Sequence, residues 1–246
     1  MILIGQYDSP FVRRVGIALR LYGMAFEHRP LSAFADREAL GAINPLMRVP
    51  ALVLDDGLAI TDSHMMLDYL DSRVSAPMFP RAEPARHRAL RVAALACGMA
   101  DKAVALFYEK RLHNQPSDAF VQRCTSQILA ALQVLETDIA RQPRPFWFAT
   151  SISHSDIAVT CALRFIADAH PGLIAPGQFS HLQEFAAAEE GGHPYVTRRK
   201  NFEIPYLHNA RVAEIHKSGK ASFGHLQILA VREVGNLVKV VAATKM

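Results

Sequence analysis

The sequence has no apolar run long enough to cross a membrane and no leader-like N-terminus. No stretch of its 246 residues reaches the roughly 18 consecutive apolar residues that a spanning helix requires. The first residues lack a basic flank followed by an apolar segment and a small-residue cleavage site. We therefore expect a cytoplasmic globular protein with no membrane partner.

Cysteine is scarce and is not spaced for a disulfide framework or a zinc site. Cys97, Cys124 and Cys161 are odd in number, far apart and free of any Cys-x-x-Cys pattern. His64 and His154 stand without a neighbouring Cys, His and carboxylate cluster. We expect buried apolar roles for the cysteines and no bound metal.

Most of the chain also lacks an excess of charge of either sign. Residues 1–188 contain 18 Lys and Arg against 18 Asp and Glu, whereas residues 189–246 contain 9 against 5, which accounts for the whole net charge of +4. Five lysines lie in those last residues and only two precede them. The body therefore has no basic surface that would predict nucleic-acid binding. The end is an atypical basic tail of uncertain structure.

The first 76 residues alternate between strand and helix patterns, which predicts a compact α/β unit. A turn signal at Asp55-Asp56-Gly57 separates two of the strands. The predicted elements are strand Met1–Ile4, a helix from Pro10 to a stop at Gly23, strand Ala25–Leu31, helix Asp36–Ile43, strands Pro50–Leu54 and Leu58–Ile60, and a helix capped at residues 61–63 and ending near Arg73.

A proline-rich linker over residues 77–84 separates this unit from a helical one over residues 85–188. Apolar residues recur there at helical spacing, and Ile157–Ala167 is apolar on nearly every face, as in the central helix of a bundle. A break in the pattern at Glu189-Glu190-Gly191-Gly192 begins the tail. In the tail, Leu226–Val231 and Leu237–Val241 are predicted to pair as strands around Gly235-Asn236.

Four motifs over residues 1–187 resemble the cytosolic glutathione transferase family, and in particular its bacterial members. They are Ser-Pro-Phe-Val-Arg at 9–13, Asn-Pro-Leu-Met-Arg-Val-Pro at 44–50, Ile-Thr-Asp-Ser at 60–63 and Ser-His-Ser-Asp-Ile-Ala at 153–158. The resemblance implies an α/β plus all-α protein. Its thioredoxin-like N-terminal domain would hold glutathione, and its all-helical C-terminal domain would supply a pocket for an electrophile.

Ser9 has two interpretations. Serine before proline at the start of a helix is a preferred N-cap. A hydroxyl at a helix N-terminus also lies where backbone donors favour an anion, so it could stabilise the thiolate of glutathione. The resemblance favours this catalytic role for Ser9 and a glutathione contact for Phe11. Tyr7 is the alternative catalytic residue, because some classes of the family use a tyrosine at the end of the first strand.

The resemblance assigns the other glutathione contacts to two motifs. It implies a cis bond between Val49 and Pro50, with the Val49 backbone pairing with the cysteinyl segment as an added strand would. Arg48 would meet a glutathione carboxylate, unless it is a solvated arginine. Asp62 and Ser63 would hold the γ-glutamyl end, although a simple cap also explains them, and the family more often has glutamate in place of Asp62.

Other residues have interpretations that the sequence leaves open. Met99, Phe107 and Tyr108 could line the electrophile pocket, although apolar residues on such a helix are more often core. Ser153 and Asp156 are spaced as a capping box, which is a structural feature.

The function implied is attack of the glutathione thiolate on a small apolar electrophile, as in detoxification. The alternatives are a non-catalytic interaction protein with this fold and a glutathione-dependent isomerase or dehalogenase. A disulfide reductase is disfavoured because Ser9, not cysteine, occupies the active position. The resemblance also implies a homodimer that pairs N-terminal domain against C-terminal domain, with Met65, Met66 and Tyr69 on the helix that usually meets the partner. A chain truncated after Ala188 is expected to fold and to bind glutathione.

Overall fold

The computed structural model of the chain describes residues 1–142, 146–148, 151–192, 226–234 and 237–244. Its contacts divide the chain into two units, Met1–Phe202 and Glu203–Met246. Every element that bears on the candidate site belongs to the first unit.

The N-terminal part is built on a four-stranded mixed sheet. Its strands are β1 (Ile2–Ile4), β2 (Glu27–Arg29), β3 (Ala51–Val53) and β4 (Ala59–Thr61). They lie in the order β2-β1-β3-β4, with β1 parallel to β2 and the other two pairings antiparallel. The β3–β4 pairing confirms the hairpin predicted around Asp55-Asp56-Gly57, and β2 is shorter than the sequence predicted.

Helices cover both faces of this sheet. The helices are α1 (Pro10–Leu21), α2 (Arg37–Ile43) and α3 (Ser63–Ser72). Successive side chains of β1 point to opposite faces. Leu3 therefore packs in the core formed with α1 and α3, whereas Ile4 packs in a cluster with Leu40 of α2. The thioredoxin-like arrangement expected from the resemblance is confirmed.

Four longer helices follow the sheet and form the helical half. They are α4 (Ala85–Leu112), α5 (Asp118–Ile139), α6 (His154–Ala169) and α7 (Ser180–Gly192). The α6 helix is buried on nearly every face, as its apolar sequence predicted. Its predicted capping box is confirmed: the Asp156 carboxylate accepts from the Ser153 N–H at 2.7 Å. Asp156 also accepts from the Trp147 N–H at 2.8 Å, so it joins Trp147 to the first turn of the helix.

An apolar contact and a buried polar network join the sheet half to the helical half. Ile17 of α1 packs against Ile157 and Cys161 of α6. Next to this contact, the fully buried His154 ring lies with Nε2 at 2.7 Å from Oδ1 of Asp71 in α3. The orientation of the two halves, and hence of any cleft between them, depends on these contacts.

The end of the helical half differs from the sequence prediction, whereas the strand pairing in the tail agrees with it. The break predicted at residues 189–192 is wrong, because α7 continues through Gly192. Glutamate is a good helix former and glycine is tolerated where a helix ends, so these residues extend the last turns. In the tail, strand β5 (Leu226–Val234) pairs antiparallel with β6 (Leu237–Thr244), which confirms the predicted pairing. The predicted turn at 235–236 lies outside the described residues.

The predicted absence of a membrane span can be examined in the described ranges. No helix within them is long and apolar enough to cross a bilayer.

Candidate active site

A cavity of about 460 Å³ opens between the sheet half and helix α4. Three segments of the sheet half form one wall: the start of α1, the loop before β3, and the turn from β4 into α3. Residues of α4 form the other wall. Six of the residues assigned to glutathione from the sequence line this cavity together: Phe11, Arg48, Val49, Pro50, Asp62 and Ser63.

The loop before β3 is held in shape by Asn44. This side chain is 2% exposed, and its Nδ2 donates to the Arg48 carbonyl at 2.8 Å while its Oδ1 accepts from the Leu46 N–H at 3.1 Å. The bond between Val49 and Pro50 is cis. Within the described residues, no backbone hydrogen bond outside the regular elements uses the N–H or C=O of Val49. An extended peptide could therefore pair with this backbone at the cavity wall.

The turn into α3 forms the floor of the cavity. Asp62 caps the helix, with Oδ1 accepting from the His64 N–H at 2.7 Å, and it has a φ of 68°, a region that non-glycine residues rarely adopt. Ser63 is 4% exposed, and its Oγ accepts from Nη1 of Arg14 at 3.3 Å. Burial lowers the pKa of His64, and the positive charge of Arg14 lowers it further. The first turn of α3 thus presents backbone donors and a hydroxyl to the cavity, an arrangement suited to an anion.

The opposite wall consists of Ala94, Cys97, Gly98 and Asp101, which lie on one side of α4. Burial raises the pKa of the Cys97 thiol. An ion pair of 3.6 Å joins Nη2 of Arg48 to Oδ1 of Asp101 across the cavity mouth. Both side chains are substantially exposed, so the pair contributes little to stability and could open for a ligand.

Ser9 is the N-cap of α1, as its position before Pro10 predicted. Its Oγ accepts from the Val12 N–H at 3.4 Å, and its own N–H donates to Oδ1 of Asp8 at 2.8 Å. Ser9 is half-buried and does not line the cavity itself, although Phe11, two residues later in the first turn, does. Because Oγ accepts from the backbone, the hydroxyl hydrogen is available to another acceptor.

Tyr7, the alternative catalytic residue, is oriented differently. It is 7% exposed, its ring centroid lies 4.0 Å from that of His28, and it packs closely over Gly16 of α1. A Cβ added at Gly16 would lie 2.5 Å from the Tyr7 ring, so only glycine fits beneath it. Burial raises the pKa of Tyr7, and its ring is outside the cavity lining.

Of the three residues considered for an electrophile pocket, Met99 lies on α4 between lining residues of this cavity, and Phe107 and Tyr108 lie farther along the helix. Met99 is 2% exposed and packs in the helical core, so its side chain does not reach the cavity lining. Phe107 and Tyr108 are half-buried, and Tyr108 makes an edge-to-face contact with Phe34 at 5.0 Å between ring centroids. At 1.5 Å per residue, Tyr108 is about 10 Å along the helix from Asp101.

Several residues at the site were not found from the sequence, and four of them make polar contacts that shape it or lie behind its wall. Arg14, Cys97 and Asp101 reach it only through tertiary contacts, and no local motif marks them. Asn44 had a visible signal, since it begins the Asn-Pro motif, but the sequence indicated only a helix end there.

Metal binding at this site has no support in the described residues. No group of three His, Cys, Asp or Glu side chains there is placed to hold an ion.

Two family models match the chain. Residues 3–78 match the N-terminal domain of glutathione S-transferase, and residues 118–188 match its C-terminal domain. A relative in Escherichia coli, an uncharacterized GST-like protein called YibF, is 30% identical over 168 residues, which cover 68% of this chain and 82% of the relative. The chain belongs to the glutathione S-transferase family.

Two further proteins are similar to this chain. The crystal structure of a family member from Pseudomonas fluorescens with bound glutathione is 33% identical, with a TM-score of 0.70 over 79% of this chain and 96% of that one. A maleylacetoacetate isomerase of Pseudomonas aeruginosa is 36% identical over 101 residues, which cover 39% of this chain and 48% of the isomerase.

Proposed function

We propose that this chain binds glutathione in the cavity and catalyses attack of its thiolate on a small apolar electrophile. The observation that carries the proposal is the convergence of six separately predicted residues, from Phe11 to Ser63, on one cavity wall. The glutathione bound to the Pseudomonas fluorescens relative supports the same ligand.

The tripeptide would be held from both ends. Its cysteinyl segment pairs with the Val49 backbone, and its γ-glutamyl carboxylate is bound by Ser63 and the first turn of α3, with Asp62 meeting the ammonium. Arg48, which is exposed at the cavity mouth, leaves its ion pair with Asp101 and binds the glycine carboxylate of glutathione. The contacts to the two carboxylates and to the ammonium are charge-assisted hydrogen bonds, which are stronger than the neutral backbone pairing at Val49.

Ser9 would act on the sulfur. Its hydroxyl donates a hydrogen bond to the thiolate at the positive end of α1, which lowers the thiol pKa. The thiolate then forms a bond to an electrophilic carbon while the leaving group departs with the electron pair of the bond that breaks. Phe107 and Tyr108, together with Phe34, form an aromatic patch that is suited to an apolar electrophile.

A glutathione-dependent isomerase is the second candidate, favoured by the similarity to maleylacetoacetate isomerase. Both reactions begin with the same thiolate, but an isomerase returns glutathione unchanged whereas a transferase consumes it. A non-catalytic interaction protein with this fold is the third candidate.

Turnover with an aryl halide such as 1-chloro-2,4-dinitrobenzene, with free thiol counted alongside product, separates these candidates. The proposal predicts product formation with loss of one thiol per product. Isomerisation of a cis-dienoic acid without thiol loss would support the isomerase. Glutathione binding with neither activity would support the interaction protein.

We also propose a homodimer, a cytoplasmic location, a bacterial source and a role in detoxification. One residue assigned to the dimer contact needs correction, because Met66 is fully buried beneath α3 and cannot meet a partner. Met65 is 57% exposed and Tyr69 half-buried, so both can. Light scattering should give twice the 27.2 kDa chain mass, and a 27.2 kDa species at micromolar concentration would contradict the dimer.

A further inference from the structure

A guanidinium is buried directly behind the wall of the cavity. Arg14 lies in α1 with 1% of its surface exposed. Its Nη1 donates to Ser63 Oγ at 3.3 Å and lies 2.9 Å from Cys97 Sγ. Both of these side chains line the cavity, so Nη1 contacts two residues of the cavity wall from behind.

The charge of Arg14 has no counter-ion in the described part of the chain. Its Nε and Nη2 are buried without a hydrogen-bond partner, and it forms no ion pair there. The two carboxylates that line the cavity are engaged elsewhere, since Asp62 accepts from the His64 N–H and Asp101 pairs with Arg48. A buried charge without a partner is strongly unfavourable, so its position beside a ligand cavity points to a function.

The surroundings define the chemistry that would balance this charge. The first turn of α3 directs backbone donors at the cavity, and the Ser63 hydroxyl stands between those donors and Arg14. An anion seated on this turn would lie about 6 Å from the guanidinium, one hydrogen bond beyond Ser63 Oγ. A carboxylate fits there, and a neighbouring ammonium would suit Asp62 and Asp101.

We propose that Arg14 is a positioning residue that acts through Ser63 to select a ligand with a free α-carboxylate at its γ-glutamyl end. Ser63 Oγ accepts from Arg14 and therefore turns its own hydrogen outward to the carboxylate. The carboxylate in turn supplies the negative charge that Arg14 lacks in the free protein. This inference rests on the proposed binding of glutathione and adds to it the residue that recognises one end of the peptide.

The test compares glutathione with 4-aminobutyryl-cysteinyl-glycine, which lacks only that α-carboxylate, by calorimetric titration of the full chain. Wild type should bind glutathione on the order of 10- to 100-fold more tightly than the analogue. Arg14→Met, which keeps the unbranched apolar stem of the side chain without its charge, should lower this preference by about three- to tenfold, because Ser63 and the first turn of α3 still bind the carboxylate. A purely structural role for Arg14 would weaken both ligands equally and leave the ratio unchanged.

Arg13 provides the matched control. It is the adjacent guanidinium of α1, 9% exposed, and its Nε donates to the Tyr7 carbonyl at 3.0 Å, not to Ser63. Arg13→Met should therefore keep the wild-type preference for glutathione. γ-Glutamylcysteine, which retains the α-carboxylate, should lose affinity in Arg14→Met by the same factor as glutathione.

An unchanged ratio in Arg14→Met would overturn the role of Arg14, whereas failure of wild type to bind glutathione would overturn the proposed function itself. If Arg14→Met does not fold, Arg14→Lys and Arg14→Gln take its place. The lysine variant should keep most of the preference, and the glutamine variant should lose the part of it that the charge of Arg14 supplies. Equal preferences in these two variants would contradict the proposal.

Discussion

Ser9 illustrates how one side chain can be both a helix cap and a catalytic group. A cap alone predicts that Ser9→Ala costs about 1 kcal/mol of stability and leaves bound glutathione unchanged. The catalytic role predicts an additional effect on the bound thiol, because a hydrogen bond to a charged group contributes about 1.5 to 3 kcal/mol. Ser9→Ala should then raise the pKa of the bound thiol by about 1 to 2 and slow conjugation at neutral pH on the order of tenfold. The pH dependence of turnover and the ultraviolet thiolate band measure these effects.

Ser117 is the matched control for this substitution. It caps α5 as Ser9 caps α1, with Oγ accepting from the Phe120 N–H at 3.4 Å. No residue of α5 lines the cavity, whereas Phe11, two residues after Ser9 in α1, does. Ser117→Ala should lower the melting temperature without altering the pH dependence of turnover or the ultraviolet thiolate band of bound glutathione. If Ser9→Ala behaves in the same way as Ser117→Ala, Ser9 is a cap only and Tyr7 becomes the candidate.

The residues that could be predicted from the sequence are those whose roles depend on their chain neighbours. The caps at Ser9 and Asp62, and the capping box at Ser153, are each determined by the three or four residues that follow. Arg14 could not be found in this way. Its significance comes from Ser63 and Cys97, which are 49 and 83 positions away in the chain.

At the scale of elements, the pair of Asp71 in α3 and His154 in α6 makes the junction of the two halves sensitive to acid. Burial lowers the pKa of His154, because the hydrogen bond with Asp71 offsets only part of the cost of charging a buried ring. Burial raises the pKa of Asp71, but hydrogen bonds from His154, Tyr22 and the Phe79 N–H outweigh this and hold it below its ordinary value.

Both shifts make stability fall on acidification. The unfolded chain takes up a proton on His154 below about pH 6.5 that the folded chain resists, and the contribution of Asp71 is lost only at more acidic pH. Between pH 7.5 and 5.5, wild type should lose about 1 kcal/mol of stability that His154→Gln does not lose. Urea unfolding at several pH values measures this difference.

His181→Gln is the control for that series. His181 also meets a carboxylate, Glu136, at 2.8 Å, but its side chain is 47% exposed. Its substitution should leave the pH dependence close to that of wild type. If the free energy of unfolding changes with pH equally in wild type and in His154→Gln, His154 does not cause the acid sensitivity.

Element boundaries were harder to predict than element types. Periodicity gave the correct order of strands and helices because each element buries one face or stripe. The end of α7 was mispredicted because the Glu-Glu-Gly-Gly sequence suggests a break, whereas buried Leu182 and Phe185 anchor the helix and the following residues continue it. Packing thus overrode local preference.

For the whole molecule, the division after Phe202 predicts that the tail is dispensable. A chain ending at Phe202 should keep its melting temperature and bind glutathione within about twofold of full length, since every lining residue precedes residue 102. A chain ending at Ala169 is the control. It loses buried Leu182 and Phe185, the latter packed 5.5 Å from the Trp147 ring, and should not fold. If the chain ending at Phe202 is insoluble, the tail belongs to the fold.

Calorimetric titration of the full chain with glutathione tests the central claim most directly. The account predicts one glutathione bound per chain, with affinity reduced at least tenfold in Ser63→Ala, since the substitution removes a hydrogen bond from a hydroxyl to a charged carboxylate. Ser155→Ala is a suitable control, because this hydroxyl is buried in α6 and bonds to the Ala89 carbonyl at 2.9 Å, away from the cavity. Absence of binding at millimolar glutathione, or equal affinity in wild type and Ser63→Ala, would contradict the account.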